Sequence, residues 1–206
     1  MVLGACSGKP PVLSRVMGRV IYVHDSATNT NRQTLGVYLV ASDPDGMENL
    51  SAFYVINDDA QLFWKVDSSS WVSATAEGES WIGTSSLSMP GSTSIPPGVY
   101  RVVLQANGGA TVEDTFTVPT LEVSADKAHY PTAAVDGTQI KVSGASGPFE
   151  IWVYGKDGRF LGAAAETAPT VSPADLPQNG STFRVFIWNA TAGYGVLSGM
   201  YPLGAS

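Results

Sequence analysis

His24 and His129 are the two imidazoles of this 206-residue sequence, so any reaction needing a neutral-pH base starts from one of them. Asp25 follows His24 directly and serines are abundant, which lets a Ser-His-Asp triad be written on paper. A working triad also holds its nucleophile on a strained turn beside an oxyanion hole, and no G-x-S-x-G stretch supplies one. Gly108-Gly109 is the richest glycine pair, but it lies between two alternating apolar runs rather than between a strand and a helix, so it reads as a hairpin turn and not as a phosphate loop. Asp43, Asp45 and Glu48 are the acids grouped closely enough to suggest calcium, with Asp58-Asp59 at the next turn. Their spacing does not follow an EF-hand, and Asp43-Pro44-Asp45-Gly46 is a turn sequence in its own right. The expectation is a chain without catalytic residues, metal or cofactor, with Asp43, Asp45 and Glu48 as weak metal candidates.

Aromatic residues carry a stronger signal. Trp64, Trp71 and Trp81 fall in the Ser/Thr/Gly-rich middle of the first half, where large rings either fill a core or stack on sugars. In the second half, Phe149, Ile151 and Val153 alternate with Glu150, Trp152 and Tyr154, while Phe183, Val185 and Ile187 alternate with Arg184, Phe186 and Trp188. Two neighbouring strands with the aliphatic sets inward would carry Trp152, Tyr154, Phe186 and Trp188 together on the other face, rimmed by Glu150 and Arg184. Four large rings on one surface call for a covering: packing between domains, a protein partner, or a glycan.

The elements that position these residues are strands. No eleven-residue window repeats apolar side chains at helical spacing, whereas short β-rich runs recur between Gly, Pro, Asn and Asp. Strands are expected near 16–24, 34–41, 50–56, 61–66, 71–75, 99–107 and 111–118, and again near 121–124, 138–143, 149–154, 159–164, 182–189 and 195–201. Tyr100, Val102, Leu104 and Ala106 point one way, and Val112, Phe116 and Val118 return on that face with Asp114 among them, which argues for a bulge or an edge strand. The halves also resemble each other: Ile95-Pro96-Pro97-Gly98-Val99-Tyr100-Arg101-Val102 is echoed by residues 176–185, and FYVINDDAQLFW by IWVYGKDGRFLG, in the same order. The expected organisation is a start and tether over 1–11, one β-sandwich over 12–119 and a second over 120–206.

Composition narrows the partners. Apolar residues make up 44% and charged ones 14%, enough for a core under a largely uncharged surface. A net charge of −7 with no basic stripe argues against nucleic acid and against direct adhesion to anionic membranes. No apolar run reaches the ~20 residues of a bilayer-spanning helix. The one cysteine, Cys6, excludes an internal disulfide and any cysteine-built zinc site. Leu3-Gly4-Ala5-Cys6 looks like a bacterial lipobox, and Ser7-Gly8-Lys9-Pro10-Pro11 like a tether behind it, which would make Cys6 the lipidated residue and the lipid the route to the membrane; a precursor's apolar leader would then lie upstream of Met1.

Asp43-Pro44-Asp45-Gly46 after a strand, Pro97-Gly98-Val99-Tyr100-Arg101-Val102, and the trailing Thr115-Phe116-Thr117-Val118 together resemble bacterial immunoglobulin-like modules of the PKD and fibronectin-III type, over residues 16–118 and more weakly over 120–203. The resemblance implies an all-β chain of two tandem antiparallel immunoglobulin-like sandwiches, a fold shared by adhesins, enzyme accessory domains and envelope lipoproteins. The functional expectation is a non-enzymatic, lipid-anchored module of the bacterial cell envelope that binds a protein partner or holds a position. The alternative is a carbohydrate-binding module stacking sugars on exposed tryptophans.

Overall fold

The computed structural model describes residues 9–76, 78–136 and 138–203; Cys6 and its expected lipid fall outside the described residues. The described chain is all-β. Its first eight strands are β1 (Val12–Asp25), β2 (Thr30–Ser42), β3 (Leu50–Asn57), β4 (Leu62–Asp67), β5 (Val72–Ala76), β6 (Glu79–Leu87), β7 (Gly98–Ala106) and β8 (Thr111–Val118). The other seven are β9 (Thr132–Asp136), β10 (Gln139–Ser143), β11 (Phe149–Tyr154), β12 (Phe160–Glu166), β13 (Thr170–Val171), β14 (Thr182–Asn189) and β15 (Tyr194–Pro202). Two compact units result. One holds the described residues up to Arg19 with Leu35–Leu87 and Pro96–Thr120, and the other holds Val20–Thr34, Ser88–Ile95 and the chain from Leu121 onward. Both unit changes near the start fall inside the long strands β1 and β2.

In the first unit a four-stranded ladder runs β4-β3-β7-β8. Its inner face is built by alternation: Phe53 and Val55 from β3 and Tyr100, Val102 and Leu104 from β7 are fully buried, and Val66 and Phe116 flank them. The Tyr100 ring stacks between Trp64, with centroids 6.4 Å apart, and Phe116, at 5.4 Å. Its hydroxyl donates to the Pro96 carbonyl at 2.7 Å, the tyrosine corner that fixes the turn into such a strand. The β7–β8 loop has three residues rather than two. Ala106 N–H bonds the Ala110 carbonyl, and Gly109 alone takes a positive φ, 83°. That register sets Asp114 opposite Val102 without a bulge, so of the two explanations for an acid on the apolar face, the edge position holds.

The same unit contains a strand that the sequence pattern does not reveal. β6 reads ESWIGTSSL, too rich in Ser, Thr and Gly to stand out, yet it lies between β2 and β5. Gly83 is required there: a Cβ would lie 2.4 Å from the Tyr38 ring and 2.5 Å from the Val37 carbonyl oxygen. Small residues let β6 approach β2 closely, and β2 supplies the burial through Leu35, Val37 and Leu39.

In the second unit the ladder β12-β11-β14-β15 repeats the order of the first, hairpin then strand pair. Phe183 stands where Tyr100 stands and is equally buried. Here the ladder continues past β15 to β1, and Val20–His24 pair with Tyr194–Ser198 in parallel. This corrects the expectation of antiparallel pairing throughout. A parallel pair needs a long crossover, which the chain between β1 and β15 provides. A smaller antiparallel ladder, β13-β10-β9, includes two strands without a clear sequence signal, and the strand expected at 121–124 is irregular.

Candidate functional site

The second unit's ladder has two apolar faces. One carries Phe149, Ile151 and Val153 of β11 with Phe183 and Val185 of β14, packed with Ile140, Val142, Val171 and Leu176. The other carries Trp152 and Phe186 with Ile21, Val23 and Leu197, joined by Tyr154, Phe160 and Trp188. The four rings expected to share a face do share it.

That face is packed rather than open. Trp152 is 8% exposed and Phe186 6%, while Tyr154 and Trp188 are half-buried. Trp152 stacks on Phe186 at 4.7 Å and receives the edge of Phe160 at 5.9 Å. Its indole N–H donates to Glu150 Oε2 at 2.6 Å, which satisfies the polar end of a buried ring. Gly195 makes the stack possible, because a Cβ there would meet the Phe186 ring at 2.5 Å. Arg184, opposite Trp152 in the ladder, lies 6.0 Å over the Tyr154 ring and points Nε at Met200 Sδ. Glu150 and Arg184 therefore anchor individual rings. The expectation of an exposed tryptophan surface is corrected for Trp152, which is buried against Phe186 and Phe160 in one cluster with Ile21, Val23 and Leu197.

The triad written on paper does not assemble. Asp25 accepts from the backbone N–H groups of Ala27 and Thr28 and caps its own turn. Burial acts to raise its pKa, but those N–H groups, with Arg184 and Arg32 adding charge, hold it below the ordinary carboxylate value. His24 Nδ1 instead lies 2.8 Å from Asn31 Oδ1, and Asn31 Nδ2 donates to Asp126 Oδ1 at 3.2 Å. Tyr130 packs 5.3 Å from the His24 ring and donates to the Ala125 carbonyl. Burial, with Asp126 adding repulsion, pushes the Tyr130 hydroxyl far above its usual value. Tyr22, also raised by burial and by Tyr194, stacks on Tyr194 at 4.4 Å and donates to the Val123 carbonyl. Sequence reading missed this tyrosine–histidine–amide network, because its members lie up to about a hundred positions apart and no local pattern links them. Ser198, paired with His24 in the ladder, is fully buried with its hydroxyl unbonded, so it has no path to a substrate. His129 is exposed and separate.

Asp43 is buried and committed. Oδ1 accepts from Asp45 N–H at 2.8 Å and Oδ2 from the Asn49 amide at 3.2 Å, so the acids expected as weak calcium ligands build a turn. Among the described residues no three His, Cys, Asp or Glu side chains converge as a metal site. Trp71 stacks on Phe53 at 6.0 Å, and Arg15, paired with Glu79, lies over Trp81 at 5.6 Å. With Trp64 against Tyr100, all three first-half tryptophans are engaged.

The geometry defines an all-β protein with two ladders of equal strand order and one ring-packed sheet face. No protein-family model matches the chain, and no curated protein does. Among solved structures it is similar to Tp47, the 47-kilodalton lipoprotein of Treponema pallidum, at 17% identity and TM-score 0.39, over 96% of this chain and 52% of that one. It is also similar to dimeric latent PorU from Porphyromonas gingivalis, at 9% identity and TM-score 0.36, over 92% and 20%. A chimeric titin Z1Z2 tandem matches at 13% identity and TM-score 0.25, over 92% and 97%. The chain spans about half the length of the Tp47 structure, and likenesses this distant carry no assignment.

Proposed function

We propose that this chain is a non-enzymatic binding module of a bacterial cell-envelope lipoprotein, with immunoglobulin-like sandwiches held to the membrane through a lipid on Cys6. The observation that carries the binding role is the ring-bearing face of the second unit. Its centre is packed by its own residues, and its margins present two half-buried rings, Tyr154 beside Arg184 at one end and Trp188 toward the other. Aromatic rings next to an arginine are the residue types enriched where proteins bind one another. The immunoglobulin-like part rests on the tyrosine corner at Tyr100 and on the shared ladder order of the two units. The sugar-stacking reading is narrowed to Trp188 and Tyr154, because both sides of Trp152 are taken by Phe186 and Phe160.

Two measurements test the proposal. Mass spectrometry of the membrane fraction from the native host is expected to find an N-terminal peptide starting at a diacylglyceryl Cys6, and an unmodified Cys6 removes the anchor. Cross-linking at the cell surface is expected to capture a protein partner that Trp188→Ala loses. A glycan array bound by the unaltered chain and not by Trp188→Ala overturns the protein-binding reading in favour of sugar.

A further inference from the structure

The outer face of the first unit's ladder is a second apolar surface, and nothing in the functional reading above uses it. Its side chains alternate with the buried ones: Tyr54 and Ile56 from β3, Phe63 and Lys65 from β4, and Val99, Arg101 and Val103 from β7, with Arg101 opposite Ile56. Phe63 is 62% exposed and Val99 58%, and the Tyr54 and Phe63 rings stack at 5.5 Å in the open. Phe63, Ile56, Tyr54 and Val103 adjoin one another across three strands, an exposed apolar cluster bordered by Arg101 and of the kind that marks a contact surface. The β8 edge of the ladder carries the inward-register, exposed acid Asp114, a device that discourages strand addition there.

Charge selects the occupant. The ladder registers place Lys65, Tyr54, Val103 and Glu113 in one row across the four strands, basic at the β4 edge, apolar in the middle and acidic at the β8 edge. A two-fold axis running along the strands between two such faces exchanges the edges. Lys65 of one copy then meets Glu113 of the other, Glu113 meets Lys65, and Tyr54 meets Val103. The present partners, Asp67 for Lys65 at 2.7 Å and Arg101 for Glu113 at 3.2 Å, form exposed surface pairs of little worth, and Arg101 keeps Asp58 at 3.3 Å when Glu113 re-pairs. We infer that this face is an isologous dimer surface, occupied by a second copy of the chain packed sheet to sheet. A face of four strands covers about 400 Å² per copy at ordinary strand spacing. The total of about 800 Å² is below a standard interface, so the dimer forms weakly and with rising concentration.

Sedimentation equilibrium of the full chain over about a hundredfold concentration range, at low salt, tests this. The expected result is monomer at the dilute end and dimer at the concentrated end. Phe63→Asp, at an exposed position that leaves the core intact, is expected to hold the protein monomeric throughout. Lys65→Glu alone and Glu113→Lys alone each put like charges opposite one another twice, and each is expected to weaken association by about tenfold or more. An equimolar mixture of these two variants is expected to restore it, because one brings acids and the other bases to both edges. Monomer at every concentration, a dimer indifferent to Phe63→Asp, or a mixture no tighter than its components overturns the inference.

Discussion

The ladders β4-β3-β7-β8 and β12-β11-β14-β15 share strand order and inner-face chemistry, and they part company on their outer faces. In the first, the outer row mixes Phe63, Ile56, Tyr54 and Val103 with paired charges, and Phe63 stays in water. In the second, the outer row is Phe160, Trp152 and Phe186, and it is buried because the ladder goes on through β15 to β1, adding Leu197, Ile21 and Val23. The strand after the second hairpin decides the matter. β8 ends its sheet and is polar on its outer side, whereas β15 is buried from Tyr194 to Gly199 without a break, as an interior strand covered on both faces must be. One module plan gives a free surface or a second core, depending on whether its last strand has a neighbour.

The largest expected effect contrasts the two outer faces directly. Trp152→Ala removes a buried ring, its stack on Phe186 and the partner of Glu150, and is expected to cost about 3–5 kcal/mol in chemical denaturation. Phe63→Ala, at an exposed outward position of the first ladder, is expected to cost less than about 0.5 kcal/mol for the monomer. Equal costs would end the distinction between a packed and a free face. Gly195→Ala tests the packing itself. The added methyl collides with the Phe186 ring, and a loss of about 1–3 kcal/mol is expected, seen as a lowered melting temperature. An unchanged melting temperature would mean the ring stack is loose.

Tyr100→Phe sharpens the comparison of the inner faces. It makes the first ladder match the second, where Phe183 holds the equivalent place, and deletes the bond to the Pro96 carbonyl for an expected loss of about 1 kcal/mol. The smallest effect is electrostatic. Asp25 has a folded-state pKa below its unfolded value, so its contribution is present above the unfolded value and is lost as pH falls through the folded one. Asp25→Asn is therefore expected to melt slightly below the unaltered chain near neutrality, with the gap closing as pH falls through the lowered folded-state value. A gap that persists in acid would assign the effect to turn geometry rather than charge.

Much of the candidate site was legible beforehand, and the reason lies in covalent geometry. Side chains alternate across a strand whatever surrounds it, so the odd-even pattern of 149–154 and 182–189 was enough to put Trp152, Tyr154, Phe186 and Trp188 on one side. The reading failed at β6, where Ser, Thr and Gly hide a strand whose burial is supplied by β2. It failed also at the β7–β8 loop, where Gly108-Gly109 suggested two residues and backbone bonding uses three. Exposure was beyond its reach, because Trp152 is buried in a cluster that gathers Phe186, Leu197 and Ile21 from distant parts of the chain.

By itself, then, the sequence determined the all-β class, the inward and outward sets of the strands it marks and the likeness of the halves. All of these follow from short-range sterics and a two-residue period. Only the tertiary structure decided that β15 lies beside β1 in parallel, that one outer face is filled while the other remains open, and that His24 faces Asn31 instead of Asp25. These outcomes depend on which distant strands pair, and pairing is chosen by the burial of the whole chain rather than by any local pattern.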